Sequence, residues 1–187
     1  MKKVNLLISA LLIAGVATAQ NWSLDKAHSK LGFGVTHLLV SEVEGSFNAF
    51  DAKITSSTDD FSDAVIELSA DVATINTNNE GRDKHLKSPD FFDAEKFSTL
   101  TFKSKSFTKV EGKKYKLTGD LTLHGITKTV TLDVVFNGTA VHPYNKKTIA
   151  GFKVTGTFKR SDFGVGTPSP ALSDEVEIKA NTEFVKG

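Results

Sequence analysis

Tyr115-Lys-Leu-Thr-Gly-Asp-Leu-Thr-Leu-His-Gly-Ile-Thr-Lys-Thr-Val-Thr-Leu-Asp-Val-Val-Phe136 is the stretch that decides the fold. Tyr115, Leu117, Gly119, Leu121 and Leu123 alternate with Lys116, Thr118, Asp120 and Thr122. Beyond His124-Gly125, Ile126, Val130, Leu132, Val134 and Phe136 oppose Thr127, Thr129, Thr131 and Asp133. Period two with one apolar face marks a half-buried β-strand. An x-Gly pair between two such runs marks a hairpin turn.

The same alternation extends in both directions. Upstream, Leu31, Phe33, Val35 and His37 share one face, and so do Ile66, Leu68, Ala70 and Val72. Downstream, Phe152, Val154, Gly156 and Phe158 form one set, and Val176, Ile178, Ala180, Thr182 and Phe184 another. Two less regular strands are expected at 45–55, which holds Phe47, and at 99–108, which holds Phe102. Glu111-Gly112 reads as a further hairpin turn, and Asn137-Gly138 is expected to close the strand that ends at Phe136. About eight strands, each with one apolar face, must hide one side of a single sheet, by closing into a barrel or folding into a sandwich. Sequential hairpins favour an up-and-down antiparallel meander. The segment 77–93 breaks the pattern and contains Pro89. It reads as a short helix over 79–86 followed by a turn, with Phe91 and Phe92 as an apolar plug. Such an insertion serves either as a lid or as an ordinary surface crossover.

The N-terminus fits a secretory signal. Lys2 and Lys3 precede a mostly apolar run from Val4 to Val16, and Ala17-Thr18-Ala19 has the small-x-small cleavage pattern. The apolar run is short of the ~20 residues that span a bilayer. Residues 1–19 are therefore expected to be removed, leaving 20–187 as one domain in a bacterial periplasm or outside the cell. Removing Lys2 and Lys3 from the 23 basic residues leaves 21 against 22 acidic ones, a formal charge of −1. That balance offers no nucleic-acid surface. The chain has no cysteine, which excludes disulfides and a lipidated N-terminal cysteine. Its aromatic residues are 14 Phe against 2 Tyr and 1 Trp, a composition suited to a dry interior.

The polar faces carry Lys116, Asp120, Asp133, Lys153, Lys159, Glu177, Lys179 and Glu183. Facing lipid, each basic side chain would cost roughly 2–4 kcal/mol near the bilayer midplane. The apolar face is therefore the inside, and no stable membrane insertion is expected. An interior of this kind is either filled by its own side chains or holds one ligand.

Several residues invite a chemical reading. Asp25-x-x-His28-Ser29 resembles part of a hydrolase triad, but neighbours on one extended segment alternate faces and cannot converge. A structural hydrogen-bond cluster is expected there. The five histidines lack close metal-ligand spacing, so no metal and no cofactor are implied. His124 reads as a turn residue. Asp162-Phe163-Gly164 matches a kinase tripeptide without any other kinase element.

The stretch from Trp22 through Asp25, His28, Ser29, Leu31-Gly-Phe33-Gly-Val35-Thr-His37 and Gly45-Ser-Phe47 resembles the opening of the YceI-like family. So do Ile75-Asn-Thr77, Arg82-Asp83-Lys-His85-Leu86-Lys-Ser88-Pro89-Asp-Phe91-Phe92-Asp93, Gly119-Asp120-Leu-Thr-Leu-His124-Gly125-Ile-Thr-Lys128 and Arg160-Ser161-Asp162-Phe163-Gly164. The loop 141–148 is the least family-like stretch. The resemblance implies an eight-stranded lipocalin-like antiparallel barrel around an elongated apolar tunnel. Its implied guest is a polyisoprenoid, an isoprenoid quinone or a fatty chain, bound without catalysis for transport, storage or sequestration. The tunnel lining would be Phe33, Val35, His37, Phe47, Ile66, Leu68, Phe102, Leu121, Leu123, Val130, Leu132, Phe152, Val154 and Phe158. Arg82 and Phe92 would stand near the entrance, where Arg82 meets an anionic headgroup or forms a bridge with Asp83 that pins the loop. Members of that family can pair as homodimers, although no residue here argues for it. Two other readings stay open: a structural or interaction barrel with a filled core, and an enzyme on a small hydrophobic substrate with His37 as its acid–base group. His37 itself reads equally as a group at the mouth that touches a headgroup and as a satisfied structural histidine.

Overall fold

The structure, a computed structural model, describes residues 18–187. The expected signal segment lies almost wholly outside the described residues. The elements in chain order are β1 (Gln20–Leu24), β2 (Lys30–His37), β3 (Ser41–Phe47), β4 (Phe50–Ser56), β5 (Val65–Asp71), β6 (Ile75–Asn76), α1 (Glu80–Lys87), β7 (Thr99–Glu111), β8 (Lys114–Leu123), β9 (Ile126–Val141), β10 (Thr148–Lys159) and β11 (Leu172–Lys186).

All strand pairings are antiparallel, and eight strands close a ring in the order β1-β4-β5-β7-β8-β9-β10-β11. The ring shuts where Trp22 pairs with Lys186 and Leu24 with Phe184. The remaining strands extend this wall at one end: β2 pairs with the first part of β11, β3 with β2, and β6 with β3. Three early strands of the meander are thus broken in the middle. Asp25 caps the turn Lys26–His28 between β1 and β2, and Asp71 caps the turn Val72–Thr74 between β5 and β6. Asn48-Ala49 separates β3 from β4, so the strand expected over 45–55 is two strands. Among the described residues β6 has no pairing to β7, and the segment between them, 77–98, fills that gap with α1.

The helix starts one residue later than expected, because Asn79 is its N-cap and accepts from the Arg82 N–H at 2.9 Å. A polar N-cap of this kind satisfies an otherwise orphaned donor. The inner face follows the alternation: Tyr115, Leu117, Leu121 and Leu123 are buried, while Lys116 and Asp133 meet outside at 2.7 Å. Gly119 makes room on the inner face, since a Cβ there would fall 2.4 Å from the Phe102 ring.

Asn137-Gly138 does not close a strand. β9 continues through it to Val141, and the loop that ends the hairpin is His142–Lys147. Gly138 takes φ 121° opposite Gly151, and Asn137 is the extra residue of a bulge in β9. The Lys113 ammonium bonds the Asn137 carbonyl at 2.9 Å. The irregular conformation is absorbed as a bulge, which lets pairing resume beyond it. In β7 a bulge between Ser104 and Ser106 shifts the inward phase, so that Leu100, Phe102 and Phe107 are all buried.

Candidate functional site: a two-part apolar cavity

One end of the barrel is closed. The loop between β4 and β5 folds across it and inserts Phe61, which is 1 % exposed. Its ring lies 5.0 Å from Trp22, 5.1 Å from Phe152 and 5.2 Å from Phe136. Phe61 takes φ 60°, a strained conformation for an aromatic residue. Two anchors hold it. Tyr115 donates its hydroxyl to the Asp60 carbonyl at 2.7 Å. The Asp63 carboxylate accepts from the Ser56, Ser57 and Thr58 hydroxyls and from the Ser57 N–H. These donors hold the Asp63 carboxyl well below the usual carboxylate range.

Above this floor lies an inner chamber of about 120 Å³. Ile66, Leu68, Phe102, Leu121, Val130, Leu132, Phe152 and Val154 all line it. Thr182 is the one lining side chain that bears a polar atom, and no lining residue is charged. Toward the other end a mouth chamber of about 460 Å³ is lined by Phe33, Val35, His37, Leu123, Arg82 and Phe92, among others. Phe47, Leu100, Phe158 and Ile178 line both chambers and form the neck between them. Every side chain expected along a tunnel therefore borders one of the two chambers. His37 is exposed at the rim rather than enclosed. Phe91 and Phe92 do not plug the barrel. They wall the mouth chamber from the side of α1, Phe92 lying edge-on to Phe47 at 6.1 Å. The seal of the opposite end is Phe61.

The mouth adds cationic and ionisable groups to an apolar wall. Arg82 does not bridge Asp83. Both hold Thr77 instead: Arg82 donates to the Thr77 hydroxyl at 2.7 Å and to its carbonyl at 2.8 Å, and Thr77 donates its N–H to Asp83 at 2.8 Å. A threonine between them satisfies both groups while keeping the loop pinned. Arg160, at the end of β10, is 4 % exposed and borders the same chamber. It donates to the carbonyls of Ser173 at 3.0 Å, Val165 at 2.9 Å and Thr167 at 3.2 Å. Among the described residues neither arginine has a carboxylate within ion-pair distance. His85, from α1, also lines the mouth, its ring edge-on to Phe91 at 5.0 Å.

Residues that the alternation did not single out include Phe61, Arg160, Leu100 and Phe107. Phe61 sits in Thr-Asp-Asp-Phe-Ser-Asp, which reads as polar loop, and Arg160 follows a strand with no local hint of burial. Leu100 shares the phase of Phe102 and could have been found from it. Phe107 is hidden by the bulge.

Elsewhere, Asp25 and His28 form the expected structural cluster. Asp25 accepts from the Ala27 N–H at 2.9 Å and meets the His28 ring at 3.0 Å, which lowers the Asp25 pKa and raises that of His28. His124 takes φ 52° in the β8–β9 turn and its ring contacts the Phe163 carbonyl at 3.2 Å. A polar groove of about 680 Å³ runs outside the wall along the strand breaks, with Lys26 and Asp51 paired across it at 2.9 Å. Among the described residues no helix is long and apolar enough to cross a membrane.

A family model described as a YceI-like domain matches residues 22–184. The UPF0312 protein SA2479 of Staphylococcus aureus (strain N315) is 40% identical over 170 residues, covering 88% of this chain and 96% of that protein. The crystal structure of Burkholderia cenocepacia BcnA superposes with a TM-score of 0.77 at 27% identity, covering 86% of this chain and 98% of BcnA. A polyisoprenoid binding domain from Saccharophagus degradans superposes with a TM-score of 0.65 at 14% identity, covering 89% and 98% of the two chains. At that identity the last match speaks for the fold alone.

Proposed function

The chain belongs to the YceI-like family, and from that footing we propose that it binds one long apolar molecule in its barrel, without catalysis, for transport, storage or sequestration. The observation that carries this reading is the inner chamber, whose lining has no charged residue and one hydroxyl. A chamber of about 120 Å³ compares with an engineered apolar cavity of roughly 150 Å³ that stays dry and takes a benzene-sized guest. The mouth, at about 460 Å³, falls in the usual range for ligand pockets.

A chain with its tip in the inner chamber and its body in the mouth gains roughly 0.8 kcal/mol per buried methylene. Such a ligand needs little polar recognition to bind well. At its other end Arg82, His85 and the rim residue His37 offer hydrogen bonds to a polar or anionic headgroup. Branched isoprenoid chains and fatty chains both fit this chemistry. The named ligand class of the Saccharophagus degradans domain is one of them. The histidines at the mouth have no nucleophile beside them in the contacts described, which favours holding a ligand over converting it. We place the protein in an exported compartment on the strength of the pattern in residues 1–19.

The test is mass spectrometry of an organic extract of the protein from its native host, with intact mass measured on the same sample. A long apolar molecule near one per chain and a mass lacking residues 1–19 are expected. An empty extract, together with failure to take up a pyrene-labelled fatty acid in titration, would overturn the ligand reading. A mass retaining residues 1–19 would overturn the export reading alone.

A further inference from the structure

The turn between β2 and β3 is built from residues poorly suited to it. Leu38 and Leu39 both have positive φ, at 52° and 59°, and the Val40 N–H bonds the His37 carbonyl at 3.1 Å. Two central residues with positive φ make the hairpin turn that Asn-Gly adopts without strain. Leucine in that conformation is an outlier. The side chains gain nothing from the fold in return: Leu38, Leu39 and Val40 are 56%, 88% and 87% exposed. Nor is the tip loose, because Leu38 donates its N–H to the Ala171 carbonyl at 2.9 Å.

The surroundings of this tip are as unusual as its backbone. His37, Ser169, Ala171 and Leu172 line the mouth chamber, so the tip stands on its rim. Residues 31–41 and 163–173, which build this side of the mouth, contain no Asp, Glu, Lys or Arg, in a chain where these make up 24%. The outer wall becomes charged again just below. Lys179 meets Glu42 at 2.6 Å, Glu177 at 3.2 Å and Glu44 at 3.3 Å. Glu42 is three residues from Leu39, so at ~3.3 Å of rise per residue the uncharged tip is roughly 7–10 Å tall. That is the depth to which an apolar face lies in the headgroup and acyl boundary of a bilayer.

We propose that the Leu38-Leu39-Val40 tip docks the mouth of the barrel on the surface of a lipid bilayer, so that an apolar guest passes between membrane and barrel without crossing water. The occupant is the uncharged part of the lipid surface rather than its anionic charge, since this side of the mouth holds no Lys or Arg in residues 31–41 and 163–173. A protein partner fits less well, because three side chains fall far short of the ~800 Å² per side that a stable interface buries. The charged ring at Lys179 limits the depth, which makes the contact shallow and reversible. The proposal rests on the ligand-binding reading above for its purpose, but not for its physics.

The test compares the full chain with the double variant Leu38→Asn, Leu39→Gly, both from an exporting host and with the N-terminus verified by mass. Asn-Gly relaxes the turn, so the variant is expected to melt at the same temperature or higher, which separates lost docking from lost folding. Flotation with phosphatidylcholine vesicles is expected to show the wild type bound and the variant bound at least about tenfold less. Transfer of a pyrene-labelled fatty acid out of those vesicles is expected to slow equally, while uptake of the same probe from an ethanol stock stays unchanged. Equal flotation of both proteins would overturn the proposal, and so would a wild type that dimerises through the tip and ignores vesicles. Docking without uptake of the probe from either source would leave docking standing and sink the ligand reading. Uptake without docking would do the reverse.

Discussion

The two ends of this barrel treat the same material in opposite ways. At the floor, one phenylalanine in a strained conformation is driven inside, ringed by Trp22, Phe136 and Phe152, while its loop carries Asp59, Asp60 and Asp63 to solvent. At the mouth, two leucines in a comparably strained conformation are held outside, on a side of the rim whose segments 31–41 and 163–173 carry no Asp, Glu, Lys or Arg. Burial offsets the strain of Phe61, since an aromatic side chain taken out of water returns more than a left-handed residue costs. No comparable burial offsets that of Leu38 and Leu39, which are 56% and 88% exposed. If the mouth docks as proposed, the floor serves stability and the rim serves contact, and substitutions at the two ends should separate accordingly.

Phe61→Ala is the severest way to break the contrast. It empties a site 1% exposed and should cost about 3–5 kcal/mol, read by denaturant or thermal melting. Equal stability would mean that the floor is not a packed seal. Next comes Arg160→Ala, which leaves the Val165, Thr167 and Ser173 carbonyls without their donor. Removing a buried hydrogen-bonding cation should cost about 2–4 kcal/mol, with Arg160→Lys recovering only part, since one ammonium cannot reach every carbonyl. Arg160 thus belongs to the mouth by position but behaves like the floor. It holds residues 165–173 in the shape that the rim requires.

How far these features could be read from the chain depends on whether local pattern or distant packing sets them. The turn of the β8–β9 hairpin was legible to the residue, because the alternation on both sides and the His124-Gly125 pair agree. The antiparallel meander followed from several strands of that kind, whereas its closure into a barrel rather than a sandwich came from the family resemblance. The breaks in the early strands were not legible, for they come from Asp25 and Asp71 capping short turns, and an Asp beside polar neighbours looks the same on a strand's outer face. Asn137-Gly138 carries a strong turn signal, yet pairing to β10 absorbed it as a bulge. In the cavity, the lining on regular strands was legible. Phe61 and Arg160 were not, since each is buried by residues far away in sequence. No periodicity records that.

A third substitution sharpens the division within the cavity itself. Ala180 faces the inner chamber from β11. Ala180→Leu adds three carbons there and should exclude a similar length of guest, about 2 kcal/mol of affinity for a long chain at ~0.8 kcal/mol per methylene. Short chains, confined to the mouth, should bind as before. The measurement is a titration across a series of fatty-acid lengths, run beside a melting curve because overpacking itself costs about 1–3 kcal/mol. A uniform loss at every length would mean that the guest's tip does not reach the inner chamber.

The smallest expected effect is the most specific to the floor. The Asp63 carboxylate gathers three hydroxyls and one N–H from residues 56–58, which hold its pKa below the ordinary 3.8. A lowered carboxyl pKa means stability that is present at neutral pH and lost as pH falls from about 4 toward the folded value. Asp63→Asn keeps the shape but weakens these bonds. The side chain is largely exposed, so the cost at pH 7 should be about 1 kcal/mol, or roughly 2–4 °C in melting temperature. Asp25, Asp60, Asp120 and Asp174 are lowered as well, so the wild type should lose stability in acid by more than this one share. The diagnostic quantity is the difference between the two proteins: a gap at pH 7 that narrows as pH falls below 4, with guest binding at neutral pH unaltered. A gap constant across that range would place the role of Asp63 in packing rather than in its charge.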